Sequence, residues 1–479
     1  MKNMNTCKDK EYSRKVLDAA FNAWKAASQL RQRRLRYKRY TYGQQWDDPA
    51  TDADGNIVTE GDLAAVSGKR PYTNNLIRRL VKSIVGHFRN NLNDADIAEN
   101  LTDFYLTNLI SELDSRLLEE FLISGCAIQR ISYERRAAGE AIWAENINPS
   151  RFFVNAFQDP RAWDIELIGS LHDMSIAEVI MRFSHGDRRK ARNLQRTYQE
   201  IQADIAARQP LLLGRTHNDD IDFFKAPQGR CRVIEVWTLE SREILKCHDR
   251  KTGQFYSIPL YGDRTKQERK TLEHVETHWG IETYWQCRYL APDGTLLDSG
   301  KSPYSHGSHP FVVKFYPLTD GEVHPFVEDV IDQQRYINRL ITLIDHIMSV
   351  SAKGVLLFPA RQKPANMTWE EVGKAWATCD RIIPYEPLSG DAHKPQQIVA
   401  NNSNHDAHRL LSIEMDMLND VAGISDAFLG KSPTGNTSAA LYETQTRNAA
   451  ITLIDIFDCF KSFRQERDHK AITSKTRPR

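Results

Sequence analysis

The sequence predicts an α+β protein, and three observations support this fold class. Apolar residues recur at helical spacing in several long stretches, most clearly over 327–350, which contains no glycine or proline. Other stretches alternate apolar and polar residues as strands do, notably 231–259 and 282–317. The chain has 479 residues, enough for two or three domains. It contains no run of about 18 apolar residues, so we expect no membrane-spanning helix.

The charge of the chain is almost balanced, with 64 basic and 63 acidic residues. A protein that reads nucleic-acid sequence normally has a clear basic excess, so this composition argues against that class. It remains compatible with a protein past which DNA slides. The seven cysteines are scattered and never have C-x-x-C spacing, which predicts reduced thiols.

The first quarter of the chain predicts three helices. Residues 9–40 form a charged amphipathic helix, and residues 74–91 form a second one with an apolar stripe. Residues 101–126 are predicted as a third helix ending near Gly125. The first helix ends in a basic cluster, which is either a solvated face or a contact for DNA phosphate or an acidic partner. That cluster consists of Arg31, Arg33, Arg34, Arg36, Lys38 and Arg39.

The middle of the chain alternates between strand and helix patterns. Strands are predicted at 127–134 and 141–147, and Ser175 with Glu178 forms a capping box that begins a helix. Residues 188–208 predict a polar, basic helix. Two further predictions are a charged helix over 264–280 and a hairpin turn at Asp293-Gly294. Residues 354–400 predict short strands and turns.

A polar loop at 430–438 separates two helical patterns near the end of the chain. The helix before it carries Ile413, Met417 and Val421 on one face. The helix after it is predicted over 441–466, with Thr437 and Ser438 as candidate caps. A mobile loop of small residues that introduces a long helix can present a flexible element to a partner.

Four patterns resemble catalytic or metal sites, and each lacks a required part. Gly430-Lys431-Ser432 ends like a phosphate-binding loop, but Ser425 stands where that motif needs its first glycine. His274 and His278 are four residues apart, but the glutamate that a zinc protease needs directly after the first histidine is absent. The third pattern is a set of loop histidines, His306, His309 and His324. The fourth is a cluster of carboxylates, Asp159, Asp164 and Glu166. We therefore predict no catalytic residue, cofactor or metal ion.

The long predicted helix contains Gln334 and Asn338, which form a Q-x-x-x-N pattern. Further motif blocks are spaced along the chain, namely Trp46-Asp47, Gly68-Lys69-Arg70-Pro71, Asn75-Leu76-Ile77-Arg78, Gly86-His87-Phe88-Arg89-Asn90-Asn91, Gly423-Ile424, Gly430, Thr437-Ser438-Ala439-Ala440 and Gln445-Thr446-Arg447. In these blocks the chain resembles the portal proteins of tailed bacteriophages, most closely those of short-tailed phages. The Q-x-x-x-N pattern resembles that of portal stem helices.

This resemblance implies a portal fold with a mixed wing, a helical stem and a small α/β clip. The implied segments are an N-terminal wing region at 1–225, strands and a helix at 226–280, the clip at 281–318, the stem helix at 319–350, the continued wing at 351–466 and a short basic tail at 467–479. A tunnel loop is implied near 425–438, and its candidate DNA contacts are Gly430, Lys431, Ser432, Thr434 and Asn436.

The resemblance also implies a function and a set of partners. The subunits would form a ring, a dodecamer in the family, at one capsid vertex of the virion after assembly in the host cytoplasm. Double-stranded DNA would pass through the channel during packaging and ejection. The implied protein partners are the terminase large subunit, the head–tail adaptor, and the major capsid and scaffold proteins.

One departure from the family pattern leaves alternatives open. Portal chains normally continue well beyond the helix at 441–466 into a crown, whereas only a short basic segment follows here. The chain could therefore be a truncated prophage remnant that no longer assembles. A phage DNA-processing enzyme and a generic capsid or scaffold-interacting protein are the other readings of the sequence.

Overall fold

The computed structural model describes residues 2–91, 99–136, 139–208, 221–250, 252–259, 275–351, 355–359, 363, 367–378, 396–398, 405–424, 428 and 451–474. The chain forms two compact units, each assembled from separate stretches of sequence. The first contains Met1–Tyr37, Lys82–Phe326 and Leu453–Arg479, and the second contains Lys38–Val81 and Val327–Thr452. Among the described helices, none is long and apolar enough to cross a membrane.

Helices and strands alternate along most of the chain. The described α-helices are α1 (Lys2–Ala26), α2 (Ser28–Thr41), α3 (Glu60–Val66), α4 (Leu76–Asn90), α5 (Thr102–Asn108), α6 (Ile110–Ser124), α7 (Ile176–Phe183), α8 (Arg188–Arg208), α9 (Phe326–Ser351), α10 (Trp369–Thr378), α11 (His405–Val421) and α12 (Ile454–Thr473). The described strands are β1 (Pro49–Thr51), β2 (Ile57–Thr59), β3 (Cys126–Arg136), β4 (Gly139–Asn146), β5 (Phe152–Val154), β6 (Leu167–Met174), β7 (Cys231–Asp249), β8 (Phe255–Pro259), β9 (Val275–Leu290), β10 (Leu296–Lys301), β11 (Phe311–Phe315), β12 (Pro317–Thr319), β13 (Glu322–Val323), β14 (Val355–Leu357) and β15 (Gln396–Ile398). This content confirms the mixed α+β class.

Two antiparallel sheets form the centre of the first unit. The larger has the order β10-β9-β7-β6-β5, with β8 paired to the far part of β7, and the smaller has the order β11-β3-β4. Even-numbered residues of β7 such as Ile234 and Val236 pack with α1, while Trp237 packs with β3 and β11. Because side chains alternate across a strand, β7 can bury both of its faces in different clusters.

A buried ionic network connects the two sheets of the first unit. Glu235 on β7 is fully buried, and its carboxylate lies 3.3 Å from Nε of Arg130 on β3 and 2.7 Å from Nε2 of His172. Trp237 donates its indole N–H to the same carboxylate at 2.8 Å. Burial alone would raise the pKa of Glu235, but Arg130 and His172 outweigh it and hold the pKa well below its usual value. The network therefore holds an ionised carboxylate inside the core.

Several predicted elements of the first unit are confirmed. Ser175 and Glu178 form the predicted capping box at the start of α7, and the basic stretch 188–208 is the helix α8. The predicted hairpin joins β9 to β10, with Gly294 at φ 86° in its turn. Local signals were sufficient here because the cap and the turn depend on residues adjacent in sequence.

The single helix predicted over 101–126 is wrong, because it is broken into α5 and α6 at Leu109. Leu109 has a left-handed backbone with φ 49°. The preceding Asn108 donates to the carbonyl of Ile142 at 2.9 Å and accepts the N–H of Ala144 at 2.9 Å. These bonds to β4 fix the chain where the apolar pattern continues, so a tertiary contact overrides the helical periodicity. The helix predicted over 9–40 is likewise divided, at Ala27.

The charged helix predicted over 264–280 is wrong for its described part. Residues 275–280 belong to β9, which pairs with β7 over its full length, for example His278 opposite Lys246. The clip predicted at 281–318 stays a prediction, since strand pairing alone does not test it. Its strands β9 and β10 belong to the large sheet, and β11 pairs with β3 of the small sheet. The pairing partners lie far away in sequence, so residues 275–318 alone did not indicate them.

The predicted basic tail at 467–479 is wrong for residues 467–473, which complete helix α12. Arg467 and Ala471 are fully buried, although the segment shows no apolar periodicity. Arg467 pairs with the buried carboxylate of Asp114 on α6. A buried ion pair replaces the apolar contacts that a sequence pattern would reveal. Helix α10 is a further correction, since 354–400 predicted only strands and turns.

We expect acid to weaken the contact between α12 and the loop before β11. Burial, with Lys470 and His469 nearby, lowers the pKa of His306 to about 4, whereas an unfolded histidine has a pKa of about 6.5. The folded state then binds fewer protons between these values, so stability falls as the pH decreases from about 6.5 to 4. Unfolding of His306→Asn across this range should show a smaller decrease. The exposed His278→Asn is the control and should behave like the parent.

Candidate functional site

The two residues that match the stem-helix pattern lie inside the second unit. Gln334 and Asn338 on α9 are 0% and 2% exposed. Gln334 Oε1 accepts the backbone N–H groups of Leu76 at 2.9 Å and Ile77 at 3.2 Å. These N–H groups begin α4 and have no partner within that helix. Gln334 therefore caps α4 from another helix.

Asn338 continues the same network one turn further along α9. Its Oδ1 accepts the backbone N–H of Asn74 at 3.0 Å and the side-chain N–H of Gln334 at 3.0 Å. Its Nδ2 donates to Oε1 of Gln45 at 2.6 Å. Gln45 in turn donates to Oδ1 of Asn75 at 3.2 Å. This amide network, Gln45, Asn74, Asn75, Gln334 and Asn338, therefore connects two of the motif blocks, the one that begins at Asn75 and the Q-x-x-x-N pattern.

A third polar residue extends the row on α9. Thr342, which is 3% exposed, accepts the backbone N–H of Tyr72 through its hydroxyl at 3.1 Å. Gln334, Asn338 and Thr342 follow one another at four-residue spacing and so share one helix face. A polar row on an otherwise buried face is a signal that the sequence contained. Thr342, Gln45 and Asn74 were not predicted as site residues, because a local pattern does not show what such a row contacts.

An acidic residue secures helix α3 to the same long helix. The carboxylate of Glu60, in the first turn of α3, pairs with Arg335 and, at 3.1 Å, with Nη2 of Arg339. Burial opposes the charge on Arg335, but Tyr40 and Glu60 outweigh this effect and raise the pKa of Arg335. The amide network and this pair together hold the segment 60–77 against α9. The hydrogen bonds and ion pairs described here all join one part of the chain to another, so the role of these residues is positioning.

Helix α11 leaves a row of apolar side chains in solvent. Leu410, Ile413, Met417 and Val421 are 36%, 44%, 45% and 44% exposed, and their spacing places them on one helix face. Leu418 on the same helix is 1% exposed. The predicted face of Ile413, Met417 and Val421 therefore exists, but it does not point into the core of the subunit. Such a row is typical of a surface that a partner covers.

A small α/β piece lies in the chain between α9 and α11. Strand β14 pairs antiparallel with β15, with Val355 opposite Ile398. Between them, α10 begins with Thr368 and Glu371, whose side chains bond reciprocally with the backbone N–H groups at the start of the helix. Phe358 contacts Trp369 edge to face, with ring centroids 6.0 Å apart. This piece therefore combines a short sheet and a helix between two long helices.

The predicted DNA contacts form two groups. One group lies outside the described residues, and the other is the basic cluster on α2. Gly430, Lys431, Ser432, Thr434 and Asn436 lie outside the described residues, as do the candidate caps Thr437 and Ser438. The basic cluster at the end of the first predicted helix is divided, because some of its members are buried in internal pairs. Those members are Arg31, which lies 3.5 Å from the ring centroid of Trp24, and Arg34, which pairs with Glu120.

The rest of that basic cluster also shows no single surface. Arg39 lies 3.8 Å from the carboxylate of Asp48. Arg36 is half-buried, while Arg33 and Lys38 are exposed. The six residues therefore do not form one exposed surface, because Arg31 and Arg34 are buried, and a contact with DNA or an acidic partner stays a prediction. Arg33 and Lys38 stay open as candidates for an external contact.

The patterns that resembled catalytic sites have structural explanations. Asp164 accepts the backbone N–H groups of Gln158 and Asp159, and Asp159 pairs with Arg161 at 3.0 Å. His278 lies on the strand β9, so its four-residue spacing from His274 is not a helical one. Within the part of the chain that the structure describes, no group of three potential metal ligands occurs.

Comparison with known proteins agrees with these features. The model of the phage P22-like portal protein family matches residues 107–472, which is well over half of the chain. No curated protein matched the chain. The matched range contains Gln334 and Asn338 on α9, α11 with its exposed apolar row and the α/β piece between them, whereas Gln45, Asn74 and Asn75 precede it. The chain therefore belongs to the phage P22-like portal protein family, the portal proteins of short-tailed phages.

Proposed function

We propose that this subunit assembles into a closed ring at one capsid vertex and that DNA passes through the ring during packaging and ejection. Membership of the portal family implies a multimeric ring associated with capsid and DNA, and the family is structural rather than enzymatic. The observation that supports assembly is the exposed apolar row on α11. Full burial of one such side chain is worth about 1.5–3 kcal/mol, so contact with a neighbouring subunit would be strongly favourable.

A second surface supports the head-to-tail contact that a ring needs. Tyr336 and Leu343 on α9 are 42% and 38% exposed and lie on one helix face. A ring of identical subunits needs two different surfaces that fit each other. We propose that α9 forms the stem and that its exposed face meets the α11 row of the next subunit. The ring would contain twelve subunits, as rings of this family do.

We propose that the α/β piece at 355–398, and not the segment 281–318, is the part of the portal to which other proteins dock. Its supports are its own sheet, its capped helix and its place in the chain between α9 and α11. In this proposal it contacts the terminase large subunit during packaging and the head–tail adaptor afterwards. The remaining parts, with wing regions in 1–225 and after α11, would contact the major capsid and scaffold proteins in the virion.

The loop near 425–438 is proposed as the tunnel loop that faces the DNA. The support is its position directly after α11 and its small polar composition. Lys431 and Ser432 are the first candidates for transient contact with the DNA backbone, beside Gly430, Thr434 and Asn436. One cation per subunit suits movement, because many tight phosphate contacts would hold the DNA in place.

The experiment compares ring formation by the parent chain and by a double variant, Ile413→Glu with Met417→Glu. We expect the parent to give closed rings by native mass spectrometry and negative-stain imaging. The double variant should remain monomeric, because two carboxylates cannot be buried in an apolar contact without a partner.

The control places one carboxylate elsewhere on the same helix. Ser412 is exposed on α11 and lies away from the apolar row, so Ser412→Glu should still form rings. Equal assembly of the parent and of the Ile413→Glu, Met417→Glu variant would show that the α11 row is not the contact. A parent chain that stays monomeric at high concentration would contradict the proposed ring itself.

A further inference from the structure

Helix α8 in the first unit presents a row of arginines to solvent. Arg188, Arg192 and Arg196 follow one another at four-residue spacing on its outer face, and all three are exposed. Each step is about 6 Å along the helix axis. Arg189 is exposed beside them. The basic character of this helix was recognised in the sequence, and the proposed wing contacts of 1–225 assign it no role of its own.

The opposite face of α8 is firmly packed. Leu194 and Tyr198 are 5% and 2% exposed in a cluster with Phe183 on α7 and Val233 on β7. The hydroxyl of Tyr198 donates to the carbonyl of Arg232 at 2.9 Å. The arginine row is therefore held on a fixed scaffold, and a ligand would not have to order the helix first.

Few acidic side chains balance the basic side chains of α8. Among the described residues, no side-chain partner is found for Arg188, Arg189, Lys190 or Arg192, and Arg196 pairs only with Glu200 at 2.8 Å. Residues 187–200 contain five basic and two acidic residues. A solvated helix face normally mixes both signs, so this segment departs from that pattern.

The position of these charges costs stability in the free protein. The N-terminus of a helix has a positive partial charge, and a cation there is unfavourable by about 0.3–1 kcal/mol. Asp187 offsets part of this effect, since its carboxylate accepts the backbone N–H of Arg189 at 2.7 Å. The first two turns remain strongly cationic. A bound polyanion would remove the repulsion that the fold leaves in place.

We propose that the outer face of α8, Arg188, Arg189, Arg192 and Arg196, binds the phosphate backbone of double-stranded DNA. A guanidinium donates through two parallel N–H groups to a phosphate, which makes arginine well suited to this contact. The row offers cations along one line, and contacts to phosphate carry no sequence information, so we expect binding that is independent of sequence. The choice of DNA as the polyanion rests on the proposed portal function.

The test measures binding of the intact chain to a short fluorescent DNA duplex over a series of salt concentrations. The variant carries Arg188→Gln, Arg189→Gln and Arg192→Gln together. We expect its affinity to fall about tenfold or more at low salt. The slope of log affinity against log salt should decrease by about 0.9 for each phosphate contact that is lost.

The control removes the same amount of charge from a different helix. Lys10→Gln, Arg14→Gln and Lys25→Gln together alter three exposed residues of α1. This control should keep the salt slope of the parent. Far-ultraviolet circular dichroism of each variant checks that α8 and α1 remain folded.

The outcomes separate this proposal from the proposed ring. A triple α8 variant that binds DNA as tightly as the parent, or loses no more affinity than the α1 control, overturns the DNA contact. The same is true if the variant binds DNA normally but forms fewer rings, since α8 would then contact a protein neighbour. Ring formation is measured on the same samples, so rings with unchanged DNA binding would leave the proposed portal role intact.

Discussion

Replacing Arg467 with methionine should reduce the free energy of unfolding of this protein by about 3–5 kcal/mol. Arg467 is fully buried, and its guanidinium pairs with Asp114, which is 1% exposed. It also donates to the hydroxyl of Tyr105 at 2.7 Å. Removing the guanidinium leaves the buried carboxylate of Asp114 with only part of the positive charge that balances it. Denaturant unfolding followed by tryptophan fluorescence would measure the loss.

The neighbouring Arg464 is the matched control for this prediction. Its Nε lies 3.1 Å from the other oxygen of Asp114, but its side chain is 26% exposed. Arg464→Met should cost roughly 1 kcal/mol, because solvent already screens part of that pair. Adding Asp114→Leu to Arg467→Met should recover part of the loss, since both charges are then gone. Equal losses for the two arginine variants would show that residue 467 has no special role.

Replacing Gln334 with leucine should destabilise the second unit by about 3 kcal/mol. Leucine keeps the size of the side chain but leaves the N–H groups of Leu76 and Ile77 and the carbonyl of Asn74 without their bonds to Gln334. A buried polar group that loses its partner costs about 1–3 kcal/mol. Compared with the parent, the variant should show a larger increase in hydrogen exchange for the first turn of α4 than for its last turn.

The adjacent Gln333 offers the same substitution without the same loss. Gln333 is partly buried, and its Oε1 has no hydrogen-bond partner in the described part of the chain. Gln333→Leu should therefore be neutral or slightly stabilising. If Gln334→Leu were equally neutral, the amide network would not hold α4 against α9, and the structural meaning of the Q-x-x-x-N pattern would have to be sought elsewhere.

The sequence predicted elements well where the determining residues are neighbours in the chain. The long helix predicted over 327–350 is α9, Phe326–Ser351, and the capping box at Ser175 begins α7 as expected. Predictions were wrong where a distant strand decided the outcome. The charged stretch 264–280 was predicted as a helix, but pairing with β7 makes its described part, 275–280, a strand. Asn108 ends α5 through bonds to β4, which no local pattern contains.

The candidate site was likewise predicted only in part from the sequence. Gln334 and Asn338 were found as a motif, and their burial and their partners became visible only in the fold. Ile413, Met417 and Val421 were found as one helix face, but only the fold showed that this face is exposed. Periodicity indicates which side chains share a face. It does not indicate whether that face meets the core, solvent or another subunit.

The sequence by itself determined the family, the α+β class and the positions of most helices, because those follow from local periodicity, caps and motif blocks. The tertiary structure decided which charges are usable by a partner. Arg34 and Arg467 are buried and pair with carboxylates inside the subunit, whereas Arg188 and Arg192 remain in solvent without a described partner. All four are the same residue type in basic segments. Their difference comes from burial and from counter-charges that are distant in sequence, which composition and spacing do not contain.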